Sequence, residues 1–244
     1  MNLVMDIGNT RVKVALFLED KVVFSEAFCT IKLKDIKLIE KREAKIDRVI
    51  FSVVGKQTKD IIKIQEYLEA RYSFVLMNSE LNMPLHNCYA TPNTLGNDRL
   101  ACIVAACTMY PKHNCLVIDA GSCITMDFID QEGDYLGGSI DCGINMKYRA
   151  LHNFTAHLPL LEGKIEKVDV IGKSTKDAII SGIINGTIMT LRGFIAHYKA
   201  TYSDLKILIT GGDALYLYSY LKEETTHIQD LCLQGLNIIL NANK

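Results

Sequence analysis

Apolar residues in this chain come in short bursts separated by turns. Residues 3–5 are apolar, Asp6-Ile7-Gly8-Asn9-Thr10 follows, and Val12, Val14 and Leu16 then recur at every second position. A period of two is that of a strand, so the segment predicts a β-hairpin closed by a glycine turn. Strands are also expected over residues 21–29, 47–54 and 72–77, and the apolar spacing of 60–71 is that of an amphipathic helix. After a polar loop carrying Pro84 and Pro92, the largely apolar stretch 98–109 predicts a buried helix that Pro111 closes.

At Cys115 the pattern restarts. Residues 115–118 are apolar, Asp119-Ala120-Gly121-Ser122 stands where the first glycine turn stood, and Thr125, Asp127 and Ile129 lie on a returning strand. Two such hairpins at the starts of two halves predict a duplicated α/β architecture, with a first domain over 1–112 and a second over 113–244. In the second, a strand is expected at 135–140, helices at 146–154 and 175–200, and a strand at 206–210 that runs into Gly211-Gly212. An amphipathic stretch closes the chain.

With 244 residues, 49% hydrophobic and 23% charged, the chain can bury a full core. Basic and acidic residues nearly balance, at 27 and 28. No general attraction to nucleic acid or anionic lipid follows, and neither is expected as a partner. No apolar run reads as a membrane span and the N-terminus lacks a signal-peptide core, so a cytoplasmic location is expected. The eight cysteines form no C-x-x-C pair and read as reduced thiols, with no zinc site indicated by spacing.

Glycine turns let backbone N–H groups approach phosphate oxygens, and an Asp beside each turn can reach the accompanying Mg2+. Asp6, Gly8, Asn9, Thr10 and Lys13 in the first hairpin, with Gly121 and Ser122 in the second, therefore form a candidate ATP-binding set. Either turn alone also reads as an ordinary hairpin. Gly211 and Gly212, at the end of an apolar strand and the start of a helix, offer a bare backbone surface for an adenine or ribose. Gly172-Lys173-Ser174 looks like the tail of a P-loop, but the chain lacks that loop's first glycine. Taken by themselves, Asp98 reads as a helix cap and Arg99 as half of a surface ion pair.

The three glycine turns, in this order, resemble the phosphate and adenosine motifs of the superfamily of actin and the sugar kinases, whose fold is actin-like (ribonuclease H-like), duplicated and two-domain. Within it the chain is similar to type III pantothenate kinases. Asp6-Ile7-Gly8-Asn9-Thr10, Tyr89 with Gly96-Asn97-Asp98-Arg99, Asp119-Ala120-Gly121-Ser122 with Asp127, and Gly137-Gly138-Ser139-Ile140-Asp141-Cys142-Gly143 resemble that family's motifs. Ser122 stands where threonine is commoner, and Cys142 where proline is, which puts that loop's rigidity in question. The resemblance implies Asp98 as the base on the pantothenate hydroxyl, and Tyr89, Gly96, Asn97, Arg99 and Thr175 as pantothenate contacts. It implies Asp119 as a ligand of a monovalent cation, K+ or NH4+, ATP as co-substrate and a homodimer, while Asp6, beside the first turn, is the candidate Mg2+ ligand. A sugar kinase or an ATP-binding regulator of the same fold is the alternative.

Overall fold

In the computed structural model, which describes residues 1–42, 45–164 and 168–243, the first hairpin is β1 (Asn2–Ile7) and β2 (Val12–Leu18), antiparallel with Ile7 opposite Val12. There follow β3 (Lys21–Phe28), α1 (Leu33–Arg42), β4 (Arg48–Val53), α2 (Lys59–Glu69), β5 (Ser73–Leu76), β6 (His86–Asn87) and α3 (Asn97–Met109). The sheet runs β3-β2-β1-β4-β5, with β4 parallel to β1 and β5 parallel to β4. Leu3, Met5 and Ile7 meet Ile36, Ile39, Ile61, Ile64 and Leu68 in one apolar core. Alternation turns Val4 and Asp6 to the other face. Helix α1 escaped the sequence reading because six of its ten residues are charged, which masks the buried Ile36 and Ile39.

The second half repeats this plan. It contains β7 (Cys115–Ala120), β8 (Cys123–Ile129), β9 (Asp134–Cys142), α4 (Ile144–Asn153), α5 (Thr175–Thr201), β10 (Lys206–Thr210), α6 (Ala214–Leu221), β11 (Thr226–His227) and α7 (Leu231–Ala242). In order of appearance, β7 to β11 occupy the same places as β1 to β5: β9-β8-β7-β10-β11 against β3-β2-β1-β4-β5. Leu116, Ile118 and Ala120 pack with Ile124, Met126 and Phe128 against Ile180, Ile184 and Leu217 of the helices.

The chain divides into two units, one of Met1–Pro111, Gly133–Tyr135 and Asp230–Lys244, the other of Lys112–Glu132 and Leu136–Gln229. This differs from a simple cut at residue 112, because α7 belongs to the first unit. There it packs on α3 so closely that a β-carbon on Gly235 would overlap the Ala101 carbonyl. It also covers the face of β1 and β4 that carries Asp6. Residues 133–135 join the same unit by pairing with β6, His86 opposite Asp134 and Asn87 opposite Tyr135.

One expectation is corrected. By length and composition α5 is apolar enough to cross a bilayer, although no segment was read that way. Half of its most apolar window is buried within the protein. That is the pattern of a core helix, and Ile180, Ile184, Leu191 and Ile195 are its buried stripe.

Candidate active site

In the first unit, β1 delivers Asp6 to the mouth of the hairpin at 7% exposure, opposite Lys13 on β2 and Ser52 on β4. The Gly8 N–H donates to the Arg11 carbonyl at 3.0 Å, so Asn9 and Thr10 form an exposed tip. The Ile7 carbonyl accepts from Val54 and Gly55 at 2.9 and 2.8 Å. A β-carbon on Gly55 would overlap the Gly8 carbonyl, so a second loop is moulded to the turn. The sequence reading missed Gly55, since nothing local marks it. A buried thiol, Cys232, lies within range of both charges: its pKa is raised well above the usual value by a hydrogen bond with Cys102, by burial and by the Asp6 charge, with Lys13 opposing.

Also in the first unit, the start of α3 gathers the residues expected to handle an acceptor. Gly96 is the N-cap, and Asp98 in the first turn accepts the Arg99 N–H at 2.9 Å. Its Oδ1 lies so near Gly96 that a β-carbon there would stand 2.5 Å from it. Asp98 is therefore inside the helix, not its cap. Arg99 is 7% exposed, with its guanidinium 5.5 Å from the centre of the Tyr89 ring, and so is no surface group. Tyr89 in turn stacks on Tyr135 at 6.0 Å. Asn97 donates to the Met77 carbonyl at 3.2 Å, which braces the loop. Thr175 belongs to the second unit, where it opens α5 as an exposed residue beside the true N-cap, Ser174, whose hydroxyl accepts the Asp177 N–H. Gly172-Lys173-Ser174 is thus a helix start.

In the second unit three chain segments converge on the end of β7. The Gly121 N–H donates to the Cys123 carbonyl at 2.9 Å and closes the hairpin beside Ser122. Gly143 donates to the Ser122 carbonyl at 3.1 Å, and a β-carbon on it would overlap the Gly121 carbonyl. Gly211 has a φ of +102°, and the place of its missing β-carbon is bordered by Asp119 Oδ1 and the Ala120 carbonyl. Only glycine takes that backbone conformation readily, and any side chain there would run into both oxygens.

Cys142, the departure from the family pattern, is held by other means. Its N–H, which proline would lack, donates to Asp141 at 2.7 Å, and Lys147 bridges Asp141 at 2.7 Å and Thr187 at 3.1 Å. The Lys147 ammonium holds the Asp141 carboxyl below the usual carboxylate range. Asp127, 1% exposed, sits in β8. A cavity of about 440 Å3 lies at the adenosine turn, with Ile144, Arg149, Leu161, Lys164 and Asp213 among its walls. That volume is in the range of small-ligand sites. Lys164, not foreseen from sequence, donates to the Gly212 carbonyl at 3.1 Å and pairs with Asp213 at 2.9 Å.

A sequence model of the type III pantothenate kinase family matches residues 2–197. The chain is 39% identical over 244 residues to a type III pantothenate kinase of Christiangramia forsetii, covering 100% of this chain and 99% of that one. Among solved structures it resembles a Campylobacter jejuni protein described as a Baf family transcriptional activator, with a TM-score of 0.60, 24% identity, and 98% and 97% of the two chains covered. It also resembles a Listeria monocytogenes protein described as an N-acetylmannosamine kinase, with a TM-score of 0.55, 12% identity, and 98% of each chain covered. The fold is that of the actin-like sugar kinases.

Proposed function

The chain belongs to the type III pantothenate kinase family, and from that membership we propose that it transfers the γ-phosphoryl group of ATP to pantothenate, giving 4'-phosphopantothenate, the first step of coenzyme A biosynthesis. The observation that carries the choice of acceptor is the buried Arg99 beside Asp98 on α3. A guanidinium grips a carboxylate with two parallel hydrogen bonds, and pantothenate has a carboxylate where a neutral sugar has none. Tyr89 gives the acceptor a flat apolar wall, and Gly96 and Asn97 shape its loop. Asp98 takes the hydroxyl proton as the phosphoryl group departs through a loose transition state.

Each unit carries one hairpin of the ATP-binding set. In the first, Gly8 closes the turn that carries the side chains of Asn9 and Thr10 for the phosphates, with Lys13 following on β2; in the second, Gly121 closes the turn that carries Ser122, and Gly211 and Gly212 receive the adenosine beside the cavity that Lys164 borders. Asp6, a carboxylate at 7% exposure at the phosphate turn, fits a Mg2+ ligand. Magnesium held there would neutralise charge on the phosphates. Asp119, a carboxylate near the end of β7, is the ligand of a monovalent cation, K+ or NH4+, in this reading. The protein works in the cytoplasm, apart from nucleic acid and membrane.

The enzyme is a homodimer in this reading, with Thr175 completing the pantothenate site of the neighbouring copy. Val170 and Ile171, close before Thr175, are 66% and 78% exposed, and Met189 further along α5 is 58% exposed. Nothing within 4 Å would meet a β-carbon on Gly182, Gly186 or Gly193 of the same helix. Each helical glycine costs about 1 kcal/mol against alanine, so three with open space beside them favour a close approach from outside the chain.

The reading is tested by a coupled assay of ATP consumption with pantothenate, with several hexoses and with no acceptor, in K+ and in Na+. Turnover is expected with pantothenate alone, and faster in K+. Asp119→Ala should erase the difference between the salts. Turnover with hexoses would establish a sugar kinase, and none with any acceptor a regulator.

A further inference from the structure

The strand pair of β6 and β9 carries three side chains that the kinase chemistry leaves unused. His86 and Cys88 are two residues apart and share a face, and Asp134 stands opposite His86 in the parallel register. His86 Nδ1 is 3.0 Å from Asp134 Oδ1 and 3.4 Å from Cys88 Sγ. The three donor atoms all lie within 4.8 Å of one another. Their backbones are fixed, since the His86 N–H donates to the Gly133 carbonyl at 2.9 Å and the Cys88 N–H to the Tyr135 carbonyl at 3.0 Å.

A thiol, an imidazole and a carboxylate can also make a nucleophilic relay, but a relay needs the thiol on one ring nitrogen and the carboxylate on the other. Here both face Nδ1. One N–H cannot serve both, and a simple ion pair of His86 with Asp134 leaves the thiol's position unexplained. Nitrogen, sulfur and oxygen within 4.8 Å of one another are a donor set for a borderline cation. Zinc takes these ligands at about 2.0–2.3 Å in a tetrahedron. Those lengths place the donors about 3.3–3.8 Å apart, so 3.0 and 3.4 Å need only small side-chain rotations.

We propose that His86, Cys88 and Asp134 bind a divalent transition ion, zinc above all, at a site separate from that of the nucleotide's magnesium. All three residues lie near the surface, which leaves a fourth position to water. The Cys88 thiol gives its proton to solvent on binding, and the resulting thiolate selects against magnesium. Cys88 and Asp134 immediately precede Tyr89 and Tyr135, whose rings stack. An ion across the strands therefore fixes the Tyr89 ring beneath Arg99, a consequence that rests on the pantothenate kinase reading although the binding itself does not.

The test is titration of the reduced full-length chain with Co2+, read by thiolate-to-cobalt charge-transfer absorption in the near ultraviolet and by displacement with Zn2+. One equivalent is expected, unaffected by excess Mg2+. Cys88→Ser should abolish the band, and His86→Asn and Asp134→Asn should each weaken binding roughly tenfold or more. Cys29→Ser, which removes another exposed thiol, should leave the band intact, and thermal midpoints near wild type confirm that all variants fold. No band in the wild type, a band that survives in Cys88→Ser, or displacement by Mg2+ would overturn the proposal. Loss of kinase turnover in the acceptor assay would leave the band untouched, so the two readings fail separately.

Discussion

At position 98 a single atom separates structural duty from chemical duty. Oδ1 of Asp98 accepts the Arg99 N–H and lies over Gly96, and an amide oxygen keeps both contacts. An amide cannot take a proton. Asp98→Asn should therefore lower kcat about 10²- to 10⁴-fold while ATP affinity, measured by equilibrium binding, stays at the wild-type value. Turnover near the wild-type rate would remove Asp98 from the role of base. Gly8, Gly121 and Gly211 were legible in the sequence because each turn adjoins the strands it connects. Gly55 and Lys164 were not, because each meets its turn from far along the chain, and a close approach leaves no local pattern. Arg99 on its own was readable as a surface charge, since its burial depends on Tyr89 and the packing of α3.

The loop that ends β9 shows how an element restores rigidity without the family's proline. Asp141 fixes the Cys142 N–H and is itself fixed by Lys147. The carboxyl's folded pKa is lowered, so the stability it contributes is present above the unfolded aspartate value, about pH 4, and is lost as pH falls through the lower folded value. The pair is partly exposed, which limits its worth to about 1 kcal/mol or less, and salt screens it. Asp141→Asn keeps an acceptor for Cys142 but loses the charge. Its melting temperature should fall by no more than about 2–4 °C at pH 7. The gap from wild type should close as pH falls through the lowered folded value, and an equal gap at neutral and acid pH would assign the effect to shape. Most elements were legible for the same reason that this loop's bracing was not. Strand periodicity is local, whereas Lys147 and Thr187 meet from α4 and α5. The closing stretch, read as one amphipathic run, resolves into α6, β11 and α7 because its halves pack on different partners, α6 on the second sheet and α7 on α3 and the first.

For the whole molecule, the acceptor residues and Thr175 fall in different units, and that makes assembly testable. Asp98 stands on α3 of the first unit and Thr175 at the exposed start of α5 in the second. If each pantothenate site takes Asp98 from one copy and Thr175 from its neighbour, a twofold dimer has two such sites with reciprocal membership. Asp98→Asn and a bulky Thr175→Trp should each inactivate a homodimer. In a mixed dimer of the two variants, both lesions fall in one site, and the other receives a native Asp98 and a native Thr175. Random mixing makes half of the dimers mixed, each with one good site of two, so co-expressed or refolded mixtures should recover roughly a quarter of wild-type activity. Native mass spectrometry counts the mixed dimers, so activity can be scaled to them. Mixed dimers as inactive as either parent would mean that Asp98 and Thr175 serve the same copy, and the exposed face of α5 would then need a different partner.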